Sequence, residues 1–143
     1  NCVYCIHSLM YYKEAILCLM FGMAEADGHM RDDELISIVT MKEIFKGYAE
    51  HDIVVLYKEY KSRFSDKNFT EIAYIMSSQI PPELYMGTLS IMADIVALNF
   101  DVDMKEGSFI SIVANVMGVS DVAVKTLLLA SLSKKLLMNV GQE

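Results

Sequence analysis

With 143 residues and 54% hydrophobic side chains, the chain is long enough to bury a core without cross-links and too apolar for intrinsic disorder. A formal net charge of −7 and a pI of about 4.9 weigh against nucleic acid as a partner. No uninterrupted apolar run reaches bilayer-spanning length, and the odd, unevenly spaced Cys2, Cys5 and Cys18 form no disulfide framework, so a reducing cytoplasm is the expected setting.

Apolar residues recur at helical spacing, and no stretch keeps a two-residue alternation, which predicts an all-α fold. The first helix is expected from near Cys2 to Glu25, stopped by Asp27-Gly28, with Ala15–Ala24 as a core segment rather than a signal-peptide core. A second runs from about Asp32 to near Gly47, with Leu35, Ile38, Met41 and Phe45 on one face. The third carries Ile53, Leu56, Tyr57, Tyr60 and Phe64 inward, leaving Lys58, Lys61 and Arg63 as its solvated back. Asn68-Phe69-Thr70-Glu71 opens the fourth as a capping box, and it runs to about Gln79.

Pro81-Pro82 breaks the chain and starts a fifth helix that extends to about Leu98. The sixth is expected from Asp103, with Glu106 as its capping-box partner. Its inner face is Phe109, Ile112, Val113, Val116 and Met117, and Gly118 stops it. Ser120 caps a seventh, with Val124, Leu127, Leu128 and Leu132 inward. The expectation is one domain over residues 1–143, a compact bundle of about seven helices joined by short connections.

Two acidic connections share a frame. Asp27-Gly28-His29-Met30-Arg31-Asp32-Asp33-Glu34 follows the first helix, and Asn99-Phe100-Asp101-Val102-Asp103-Met104-Lys105-Glu106 follows the fifth, so Asn99 stands for Asp27 and Glu106 for Glu34. Apolar positions match on both sides: Leu17 with Leu89, Met20 with Met92, Met23 with Ile95, Phe45 with Met117. The reading is an internal helix–acidic loop–helix duplication, over about residues 10–47 and 82–119.

Hard divalent cations need several converging oxygens and local negative charge. Asp27 and Glu34 are the leading candidate ligands, Asp32 and Asp33 lie beside them, and Asn99, Asp101 and Glu106 form a weaker second half-site. Neither loop has EF-hand spacing, and the all-oxygen donors suit Ca²⁺ or Mg²⁺ better than Zn²⁺. Three features oppose a metal. The Arg31 cation competes with it, Phe100 stands where the first loop has a turn glycine, and carboxylates at a helix start also serve the helix dipole. His7, His29 and His51 have no metal-ligand or triad spacing, no phosphate-binding glycine loop is present, and the lone Cys2-x-x-Cys5 lacks the second pair of a closed zinc site.

Ala24-Glu25-Ala26-Asp27-Gly28-His29-Met30 with Glu34, and Val102-Asp103-Met104-Lys105-Glu106 with Ile112–Ser120 behind it, resemble the signature of the TerB-like (tellurite-resistance B) family, over essentially the full length. The resemblance implies a compact seven-helix fold, an acidic surface that binds divalent metal, a role in tellurite resistance or stress response, and protein partners associated with the membrane. Similar domains occur beside DnaJ modules in co-chaperones, although the His-Pro-Asp motif of DnaJ is absent here. The expectation is a cytoplasmic, non-enzymatic module whose acidic loops bind a divalent cation or a basic protein partner. The alternative is a metal-independent helical interaction scaffold or co-chaperone-associated domain.

Overall fold

Helix α1 (Cys2–Asp27) is the axis of the molecule. Ala15, Ile16, Leu17, Leu19, Met20, Phe21 and Met23 are all buried, so this stretch is covered on every side. A helix that is apolar all round belongs in the middle of a bundle, and α1 packs against α2 (Asp32–Thr40), α3 (Glu50–Phe64), α4 (Phe69–Ser78), α5 (Tyr85–Leu98) and α6 (Phe109–Met117). The last helix, α7 (Asp121–Val140), packs mainly on α5 and also on α6. The computed structural model describes the backbone of residues 2–27, 31–40, 42–98 and 108–140 and the side chains of residues 12–23, 25, 26, 31, 33–40, 42–97 and 108–139. Among the described residues there are seven α-helices and no strand, which is the all-α bundle the periodicity predicts. No helix among the described residues is long and apolar enough to cross a membrane.

Capping chemistry sets several helix ends. Asn68 Oδ1 accepts from the Glu71 backbone N–H at 2.8 Å, and the Asn68 amide donates to Glu71 Oε1 at 2.9 Å, so the predicted start of α4 is present. Ser120 Oγ accepts from Ala123 N–H at 3.2 Å to start α7. Gly118 takes a left-handed conformation (φ +77°) after α6, and the Val119 N–H reaches back to Ala114 O at 2.8 Å.

Three helices depart from the sequence reading: α5 starts at Tyr85, after a 3-10 turn over Pro82–Leu84, rather than at Pro82, and α2 and α6 also differ. Helix α2 ends at Thr40 rather than near Gly47. Thr40 Oγ1 turns back onto Ile36 O at 2.6 Å, Lys42 is extended, and Glu43–Phe45 forms a separate 3-10 turn that still delivers Phe45 to the core. Helix α6 begins at Phe109, with Ser108 extended before it, rather than at Asp103. Its buried face is Phe109, Ile110, Val113, Ala114 and Met117, so Ile110 and Ala114 take the places expected for Ile112 and Val116. The proposed Glu106 cap lies outside the described residues. Leu17/Leu89, Met20/Met92 and Met23/Ile95 are buried in both α1 and α5, and Phe45 and Met117 are buried as well, Phe45 from the 3-10 turn and Met117 from α6.

Candidate functional site

The acidic connection begins where α1 stops at Asp27 and ends where α2 starts at Asp32. The structure describes two of its predicted ligands in full. Glu34 Oε1 pairs with Arg31 Nε at 2.8 Å, and Asp33 Oδ1 lies 3.4 Å from the same Nε and also accepts the Glu34 backbone N–H at 3.0 Å. Both carboxylates therefore converge on one cationic point, the Arg31 guanidinium. All three side chains are exposed, so the pairs contribute little to stability. The side chains of Asp27 and Asp32 and the whole of Gly28, His29, Asn99, Asp101 and Glu106 lie outside the described residues. No group of three or more His, Cys, Asp or Glu side chains that could hold a metal ion occurs among the described residues.

A second polar node was not anticipated. Asp94 is the single charged residue of α5 and sits half-buried between α5 and α7. Ser131 Oγ donates to Asp94 Oδ1 at 2.6 Å and Lys134 Nζ donates to the same oxygen at 3.0 Å, while Lys42 Nζ stands 4.0 Å from Oδ2. One turn on, Lys135 Nζ donates to Ala97 O at 2.7 Å and satisfies a carbonyl in the last turn of α5. Burial pushes the Asp94 carboxyl up, but the Ser131 and Lys134 hydrogen bonds and the Lys134 and Lys42 charges outweigh it and hold it below the usual range. The node is a clamp joining α5, α7 and the segment after α2. The signal in the sequence was a lone Asp in an otherwise apolar helix.

Because the Asp94 pKa is depressed on folding, its contribution is present above the unfolded carboxylate value, about 3.9, and is lost as pH falls through the lower folded value. Asp94→Ala is expected to lose about 1–2 kcal/mol at neutral pH. Urea unfolding should show the gap between wild type and variant narrowing below about pH 3.9.

Other reactive groups are occupied structurally. Burial, with the charge of Glu14 adding to it and Arg63 opposing it, pushes the Cys18 thiol up to about 12, so it is protonated and unreactive at neutral pH. Tyr57 and Tyr60 are buried, while Lys58, Lys61 and Arg63 are exposed, as the periodicity of α3 predicts. Lys61 lies over the Tyr57 ring at 4.6 Å from its centroid, and Arg63 over that of Phe64 at 5.6 Å. A shallow groove of about 320 Å³ beside α4 is lined by Lys67, Thr70, Glu71, Tyr74 and Ile75.

The most distinctive described surface is on α7. Val124, Leu128 and Ser131 are buried against the bundle, as the sequence reading of Val124 and Leu128 requires. On the opposite side Val122, Leu129 and Leu136 are 73%, 65% and 66% exposed, and Leu137 and Met138 are exposed at the end of the helix. The hydroxyls lying between them turn back on their own helix. Thr126 Oγ1 donates to Val122 O and Ser133 Oγ to Leu129 O, each at 2.8 Å, so they present little unmet polarity along the stripe.

No family model matches the chain, and no curated protein or solved structure matches it.

Proposed function

We propose that this chain is a non-enzymatic helical protein-interaction module whose contact face is the outward side of α7. The observation that carries the reading is the concentration of exposed large hydrophobics on one helix. Val122, Leu129, Leu136, Leu137 and Met138 lie on α7, whereas Val55, Phe69, Tyr74 and Met86 are spread over three others. Isolated exposed apolar residues are ordinary, but a contiguous patch marks an interaction surface. Affinity capture with wild type, and with the Leu129→Glu/Leu136→Glu variant, tests this. Wild type should retain specific partners that the variant loses, and identical captures would contradict the reading.

We keep a TerB-like cation site as a second reading, because Asp33 and Glu34 already converge on the Arg31 cation. In this reading Asp27 and Glu34 lead the ligand set, Ca²⁺ or Mg²⁺ displaces Arg31, and the module works in a stress response in the cytoplasm. At free metal a hundred times its dissociation constant, binding should add about 2.7 kcal/mol to native stability. The thermal midpoint of metal-stripped protein should therefore rise by several degrees in millimolar Ca²⁺ or Mg²⁺. The rise should grow in Arg31→Ala and vanish in Asp27→Ala/Glu34→Ala. No rise with either ion would retire this reading and leave the α7 face as the contact.

A further inference from the structure

We draw no further inference here: the strongest candidate, the exposed apolar face of α7 carrying Val122, Leu129 and Leu136, belongs to the contact surface already described, and nothing in the structure shows what covers it.

Discussion

Phe21→Ala is expected to remove about 3–5 kcal/mol of stability, a large part of the 5–15 kcal/mol that holds a domain of ordinary stability together. Phe21 is fully buried on the central helix. Its ring meets Tyr57 edge-on with centroids 4.6 Å apart and Tyr60 at 5.7 Å, so one side chain ties α1 to α3 through two aromatic contacts. Truncation removes the buried ring and leaves a cavity that a helix packed on several neighbours cannot collapse around. Equilibrium urea unfolding reads the loss directly, and a change below about 1 kcal/mol would mean that α1 is not the centre of the core.

Gly22→Ala is expected to cost about 1–3 kcal/mol, although alanine is the better helix former by about 1 kcal/mol. A Cβ at this position would lie 2.7 Å from Phe109 Cζ and 3.1 Å from Tyr60 Oη. Phe109 is fully buried, with its ring against that of Phe69 at 5.7 Å, so it has little room to give way. The Tyr60 hydroxyl is itself buried with no hydrogen-bond partner among the described residues, so a new methyl would crowd an oxygen already without one. Glycine here is a packing device rather than a turn residue. It lets α3 and α6 approach α1 closely. The coupling is testable in a double-mutant cycle, because Phe109→Leu shortens the clashing side chain. Gly22→Ala should cost less in the Phe109→Leu background than alone, by about 1 kcal/mol. Strict additivity would show that the two residues do not meet.

The central helix was legible in the sequence because Ala15–Ala24 is apolar without interruption, and such a run has nowhere to go but the middle. The starts of α4 and α7 were legible because Asn68 and Ser120 act through local hydrogen bonds that need no tertiary context. The face of α6 was not. Seven of the nine residues in Phe109-Ile110-Ser111-Ile112-Val113-Ala114-Asn115-Val116-Met117 are apolar, so several stripes fit and tertiary packing chooses among them. The end of α2 was missed because periodicity carries through Phe45, while a Thr40 back-bond and a 3-10 turn deliver the same side chain by a different backbone.

The site was legible in part. The acidic frame fixed where α1 gives way to α2, and Arg31 did come to rest on the carboxylates as its charge suggested. The Asp94 clamp was invisible, because Ser131 and Lys134 lie far along the chain and only the packing of α5 on α7 brings them to it. The outward seam of α7 was hidden by its inward one. Helical periodicity placed Leu127, Leu128 and Leu132 inward and left Leu129 out, but only the structure shows Leu129 exposed with Val122 and Leu136 on the same side.

That exposure gives the most direct test of the account. Leu128 is 2% exposed and Leu129, its neighbour, 65%. Leu128→Glu and Leu129→Glu place the same charge at a buried and at an exposed position of α7, and thermal unfolding of each, beside a measurement of association, compares the two. The account predicts that Leu128→Glu destabilises strongly, by about 3 kcal/mol or more. It predicts that Leu129→Glu stays within about 0.5 kcal/mol of wild type while losing association. Equal destabilisation by both would contradict it, since Leu129 would then belong to the core and α7 would have no face left for a partner.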